Sequence, residues 1–291
     1  MKITVMNGGL GNQLFQYAFY RCVCYWQKDE CYIDDSCFFL NKEHNGYELE
    51  RIFKLAPPLL SRYFTEEQWA YCLEQIKSGR HLANLLEEMG FPFQVVAETP
   101  DLSYKGTPSI TPPNRYDPAI LRLHGNIYYH GYWINGNWFN SVKDELVKEL
   151  SFPKPVHPKN QQLLDLADGT NSVGVHIRRG DFSKYNLILN PDYYIASVKS
   201  IREVVEKPLF FLFSDDLDWC VNHYRELGFD LARDNLIFVD GNREANSYID
   251  MQIMSHCRHL IIANSAFSYF AALLNRNPGR IVMNPIPSRP L

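Results

Sequence analysis

The sequence predicts two α/β domains in tandem, each a largely parallel sheet wound with helices, facing each other across a central cleft. Three observations predict it. Beyond residue 158, β-like and helical segments alternate to the end of the chain. The runs "LFFLF" and "LIIA" are continuously apolar, as strands buried on both faces of a parallel sheet must be. Between the halves lies "PKPVHPK", whose prolines stop the preceding helix and read as a linker. The boundary therefore divides residues 1–152 from 153–291.

In the first half, "ITVMN" is a strand, "GGLGNQ" a glycine turn and "LFQYAFYRCVCYWQK" a helix, with "CYID" as the next strand of a βαβ unit. Residues 65–89 read as one helix, opened by a capping box of Thr65 and Gln68. "FQVVAE" is a strand, and residues 99–117, rich in proline and polar side chains, are loop. "NIYYHGYWINGNWF" is dense in aromatics and "NSVKDELVKELSF" has helical spacing. The aromatics could form a sugar platform; core is the favoured reading. In the second half, helices are expected at 159–168, 191–205, 216–227, 246–257 and 266–274, and strands at 172–177, 208–213, 236–239, 259–263 and 280–283.

With 291 residues, 46% hydrophobic and 21% charged, the chain is long enough to bury a large core. A net charge of −4 gives the surface no general affinity for nucleic acid or an anionic membrane, so any anion site is local. Seven scattered cysteines without a CxxC pair match a reducing compartment. "MKITVMNGGLGNQ" is not a signal peptide, and no apolar run approaches the roughly 18 residues of a membrane span. The expected location is the cytoplasm, with nothing beyond peripheral contact at the inner membrane.

Function is concentrated at predicted strand ends. "SVGVHIRRGDF" carries His176, Arg178, Arg179 and Asp181 at or just past the end of a buried strand. Unpaired guanidiniums there are costly, and Arg is suited to gripping phosphate or carboxylate in a fixed geometry. The alternatives are a structural Arg/Asp turn or an "RGD" adhesion tripeptide, the latter at odds with cytosolic features. "FLFSDDLDW" places Ser214, Asp215 and Asp216 at a second strand end. Helix capping is favoured there over a metal-holding DxD pair of Asp216 and Asp218. At the third, "NSAFS" opens a helix whose N-terminus, with Asn264, Ser265 and Ser268, offers N–H groups and the positive dipole end to a phosphate, or is an ordinary cap. Three such turns on one sheet edge favour a shared site over three separate caps. "GGLGNQ" fails the dinucleotide fingerprint, since Leu14 stands where the third glycine is needed, and no P-loop is present.

Taken together, these motifs, in the order "GGLGNQLFQYAF", "GYWINGNWF", "HIRRGDF", "FFLFSDDLDW" and "DMQIMSHCRHLIIANSAFSYFAALLN", resemble the bacterial α-1,2-fucosyltransferases of glycosyltransferase family 11. The resemblance implies a GT-B-like pair of Rossmann-like domains, acceptor-side first and donor-binding second. It also implies a metal-independent, inverting transfer of L-fucose from GDP-β-L-fucose to the 2-hydroxyl of a terminal β-galactoside in surface glycan or oligosaccharide, with no resident cofactor. His176 and Arg178 would contact the donor, Arg178 on the diphosphate, with Arg179 and Asp181 bracing the loop. Asp250 would meet guanine or ribose, Ser265 and Ser268 would lie near the phosphates, and Asn12 would face the fucose. The run "NSAFSYFAALL" departs from the family's usual pattern at Tyr269, Phe270 and Ala271, and Phe182 stands where Tyr is common. No residue stands out as a general base. The rival readings are a metal-dependent transferase of another nucleotide sugar and a non-catalytic sugar-binding protein.

Overall fold

A computed structural model describes residues 1–40, 44–101 and 103–286. It divides into two units, Met1–Ser151 and the chain from Phe152 onward. Among the described residues each unit holds one five-stranded sheet in which the pairings are all parallel.

The first unit runs β1 (Lys2–Val5), α1 (Leu10–Trp26), β2 (Cys31–Asp34), α2 (Ser36–Leu40), α3 (Leu49–Phe53), α4 (Glu66–Lys77), α5 (Leu82–Glu88), β3 (Gln94–Ala97), β4 (Ser109–Ile110), β5 (Ile127–His130) and α6 (Lys143–Glu149). Strand order is β2-β1-β5-β3-β4. Two expectations need correction here. The glycine turn is shorter than "GGLGNQ" suggests, because Gly8 at φ +73° makes the bend alone and Gly9, in extended backbone, is already the N-cap of α1. Asn12 and Gln13 therefore lie within the helix, both donating backbone N–H groups to the Gly9 carbonyl. The helix expected over 65–89 is two helices. Thr65 and Gln68 form the capping box of α4, but Gly79 at φ +92° ends that helix, with Gly79 and Arg80 N–H groups closing on Ile76 and Gln75 carbonyls.

The aromatic run is core except for the exposed Tyr132. Trp133 stacks on Phe19 of α1 at 4.2 Å, and Trp138 meets Phe19 edge-on at 5.0 Å. Both indoles are wholly buried, so they offer no platform to a sugar.

The second unit runs α7 (Pro158–Gly169), β6 (Ser172–Ile177), α8 (Pro191–Val204), β7 (Leu209–Ser214), α9 (Leu217–His223), β8 (Asn235–Phe238), α10 (Tyr248–His256), β9 (His259–Ile261), α11 (Ala266–Leu274) and β10 (Val282–Met283). Strand order is β10-β9-β6-β7-β8, a doubly wound sheet. Alternation along β6 sends Val173, Val175 and Ile177 into a core with Tyr194, Val198 and Ile201 of α8. Gly174 and His176 face the other side, where a Cβ on Gly174 would stand 2.9 Å from Leu260 and 3.3 Å from Cys257. No helix among the described residues is long and apolar enough to cross a membrane.

Candidate functional site

The strand order makes β9, β6 and β7 parallel neighbours, so the turns after Ile177, Ser214 and Ile261 share one edge of the sheet. The three candidate strand ends are thus brought together by topology. His176, one residue from the end of β6, lies with its ring 5.7 Å from that of Phe267 in the first turn of α11. Its Nδ1 is buried without a hydrogen-bond partner. Burial, with the Arg178 charge beside it, holds the His176 pKa down at about 3, so the ring is neutral at pH 7.

The two arginines diverge, and not as expected. Arg178 pairs with Asp181 at 2.8 Å and with Asp215 at 3.2 Å. Arg179 turns to Asp216 at 3.5 Å and lies flat on the Trp219 ring, 3.5 Å from its centroid. The brace pairing of Arg179 with Asp181 is therefore corrected. Asp181 neutralises Arg178, and Trp219, itself stacked on His223 at 4.5 Å, is the support of Arg179. The reason is the alternation past a strand end, which sends consecutive side chains to opposite sides. Arg178 still has one buried donor, Nε, with no partner.

Ser214 and Asp215 build the turn that holds these arginines. The Ser214 hydroxyl accepts the Asp216 N–H at 3.0 Å, and Asp215 accepts the Arg179 N–H at 2.9 Å. A Cβ on Gly180 would run into an Asp215 carboxylate oxygen, so a larger residue there would push Asp215 off the arginines. Asp216 caps α9 through the Trp219 N–H at 3.2 Å, as the capping reading holds, and Asp218 lies in the helix's first turn. Two guanidiniums face three carboxylates at this edge, so an incoming anion must exchange with one of them. Asp181, more exposed than Asp215, is the partner that can leave Arg178.

At the third turn, Ser265 is the N-cap of α11 and accepts the Phe267 N–H at 3.3 Å. Ser268 is wholly buried, its hydroxyl accepting the Ala263 N–H at 3.2 Å. It closes the turn from inside, which corrects its expected place beside the phosphates. Asn264 donates Nδ2 to the Leu187 carbonyl at 2.9 Å, while its Oδ1 is buried and unpartnered. Asp250, in the first turn of α10, accepts from Asn242 at 2.8 Å, and Asn242 in turn accepts from Asn160 at 2.9 Å. Burial raises the Asp250 pKa to about 7. Trp219, Phe267 and the two asparagines are participants that sequence reasoning missed, although Trp219 and Phe267 stand inside the motifs that carried it.

In the first unit, Asn12 is half-buried, and its Nδ2 would come within 2.8 Å of a Cβ on Gly8, so the turn accepts only glycine there. His81, Asp101 and His130 cluster at metal-ligand spacing. However, His81 Nδ1 accepts the Ala83 N–H at 3.1 Å, which leaves the neutral ring's proton on Nε2, 3.3 Å from His130 Nδ1. A cation at that nitrogen would have to displace the proton, so the cluster is better described as hydrogen-bonded imidazoles beside a carboxylate.

The sequence model of a family described as glycosyl transferase family 11 matches residues 115–289. An α-1,2-colitosyltransferase of Escherichia coli is 28% identical over 99% of this chain and 92% of its own length. A galactoside α-(1,2)-fucosyltransferase 1 of Leontopithecus chrysomelas is 25% identical over 50% of this chain and 42% of its own length. Among solved structures, fucosyltransferase NodZ from Bradyrhizobium superposes with a TM-score of 0.53 at 15% identity, covering 94% of this chain and 92% of that one. The NodZ likeness shows the fold: the two parallel α/β units are the GT-B-like architecture expected.

Proposed function

The chain belongs to glycosyl transferase family 11, and from that premise we propose that it moves L-fucose from GDP-β-L-fucose to the 2-hydroxyl of a terminal β-galactoside, with inversion and without a metal. One observation carries the donor part of the reading. His176 Nδ1, Arg178 Nε and Asn264 Oδ1 are all buried and without a partner among the described residues, and all lie at the carboxyl ends of β6 and β9. Each such group costs about 1–3 kcal/mol when left alone, so three at one sheet edge mark a place built for a polar ligand.

In the proposed reaction the bond between the fucose anomeric carbon and the β-phosphate oxygen breaks, and the acceptor oxygen bonds to that carbon from the opposite face. The acceptor's proton is released, and GDP departs with the electron pair. Charge grows on the β-phosphate, and Arg178 is the cation placed to meet it once Asp181 yields, with the N-terminal end of α11 as the second positive pole. Burial and Arg178 hold the His176 pKa at about 3, which makes it a weak proton acceptor, so it serves as a hydrogen-bonding group. Asp216 is engaged by Arg179 and by its own helix, which counts against a metal-holding pair.

The name of the Escherichia coli relative makes the donor sugar the point to test. Wild-type enzyme in EDTA is offered GDP-fucose and GDP-colitose with a panel of galactosides, and the product linkage is determined. Fucosyl transfer in α-1,2 linkage is expected, with Arg178→Ala lowering turnover about a hundred- to thousandfold. Transfer from GDP-colitose alone, dependence on added metal, or Arg178→Ala within about tenfold of wild type would each overturn the corresponding part.

A further inference from the structure

Past the carboxyl end of β2, α2, α3 and the 3-10 turn Leu60–Arg62 border an open pocket of about 240 Å³ in the first unit. Asp35, Phe38, Phe39, Tyr47, Glu50 and Arg62 form its wall. The carboxyl ends of parallel strands are where α/β sheets take their ligands, and this pocket has the chemistry of a site. Phe38 and Tyr47 present rings 5.8 Å apart, tilted by 48°. Phe39 is 54% exposed, an apolar ring held open to solvent. Glu50 and Arg62 pair at 2.6 Å on the rim, both half in water. The Tyr47 hydroxyl oxygen, by contrast, is buried and has no hydrogen-bond partner among the described residues.

The backbone around Tyr47 is fixed from below. Gln13 of α1 donates Nε2 to the Gly46 carbonyl at 2.8 Å and accepts the Glu48 N–H on Oε1 at 2.9 Å. Both neighbours of Tyr47 are thereby tied to the first turn of α1. Asp35 is committed to the backbone N–H and hydroxyl of Ser61, so it shapes the wall and leaves recognition to the others.

We propose that this pocket binds one pyranose unit of the acceptor glycan, an inference that rests on the glycan-directed reaction proposed above. A pyranose has an apolar C–H face that packs on an aromatic ring, and a rim of hydroxyls that both donate and accept. Phe38 and Phe39 supply the first requirement. Tyr47 Oη, the Glu50 carboxylate and the Arg62 guanidinium supply the second, with donor and acceptor both represented. Size limits the occupant: the pocket lies below the roughly 300 Å³ at which sites for drug-sized ligands begin, so it admits a single ring and not an oligosaccharide. A bound hydroxyl would also give the Tyr47 oxygen the partner it lacks among the described residues.

The test uses the full chain with Phe39→Ala and Tyr47→Phe. Phe39 is exposed and Tyr47→Phe removes one oxygen, so neither variant is expected to disturb folding, which thermal melting checks. For an oligosaccharide acceptor KM should rise about tenfold in each, the loss of one good contact, with kcat, GDP affinity and the hydrolysis of GDP-fucose in water unchanged. A KM within about twofold of wild type in both variants, or an equal loss of GDP affinity, overturns the pocket while leaving the reaction standing. If the wild type transfers to no galactoside, the reaction fails instead. The pocket is then read by saturation-transfer NMR on free oligosaccharides. Ring-proton contact that Phe39→Ala abolishes upholds it, and no contact, or contact unaffected by Phe39→Ala, rejects it.

Discussion

Arg178 and Arg179 are neighbours of the same type with separate roles, and what separates them is visible only in three dimensions. Their types and their place at a strand end are legible in the sequence, as is the need for something anionic nearby. Which aspartate serves which arginine is not, because Asp181, Asp215 and Asp216 arrive from two different turns. Asp250 shows the same limit, since its partner Asn242, eight residues away, is itself held by Asn160 from a distant part of the chain. Its elevated pKa has a consequence for donor binding. In the empty protein, burial lifts the carboxyl from 3.8 to about 7, so its stabilising effect is full below pH 3.8 and lost as pH rises through 7. If Asp250 is the guanine or ribose partner that the proposed donor site calls for, its ionised form is the stronger acceptor, and GDP binding below pH 7 would expel that proton. GDP affinity should therefore be about tenfold weaker at pH 6 than at pH 8, and Asp250→Asn should flatten this dependence. Titration calorimetry at the two pH values decides; a wild type as flat as the variant would remove Asp250 from the donor site.

Strands and helices of the second unit were the most legible elements, because its buried parallel strands are mostly apolar and α8, α9 and α11 begin at Asn, Asp and Ser caps. β6 and α11 match the expected residues 172–177 and 266–274 in full. The failures came where glycine acts as punctuation. Gly9 caps α1 where the sequence suggested a longer loop, and Gly79 divides a helix whose hydrophobic spacing runs on past it. Gly174 has a different role, set by packing and not by backbone angle. Leu260 of β9 and Cys257, just past α10, come so close that a methyl group on Gly174 would lie 2.9 Å from the first and 3.3 Å from the second. Gly174→Ala should therefore cost about 1–3 kcal/mol, the usual range for overpacking a filled core. It should be read as a lower denaturant midpoint, and because His176 lies two residues on along the same face, GDP affinity should fall with it. A midpoint equal to wild type would show that the Leu260 and Cys257 side chains have room to move.

For the molecule as a whole, division into two α/β units was legible from the proline run and the resumed β/α alternation, since both are properties of sequence order. Assignment of donor and acceptor work to particular units is a chemical matter. The second unit contributes the arginines, the unpartnered polar atoms and the helix N-terminus; the first contributes an aromatic pocket and a glycine turn. Bound GDP stabilises only what it touches or orders, by about 2.7 kcal/mol at a hundredfold excess over its dissociation constant. Hydrogen exchange followed by mass spectrometry should therefore slow most at residues 176–183, 213–217 and 262–268, the three turns of one sheet edge. Residues 2–5 and 94–97, strands of the other sheet, should exchange as they do without GDP. Addition of a galactoside-terminated oligosaccharide should instead protect 44–50 and 59–62, around Tyr47, with little further change at the arginine turns. Protection by GDP that fell mainly on the first unit would reverse the division of labour. Equal protection by GDP and by the oligosaccharide at the arginine turns would mean that those turns do not distinguish the two substrates, against a site built on Arg178, His176 and Asn264.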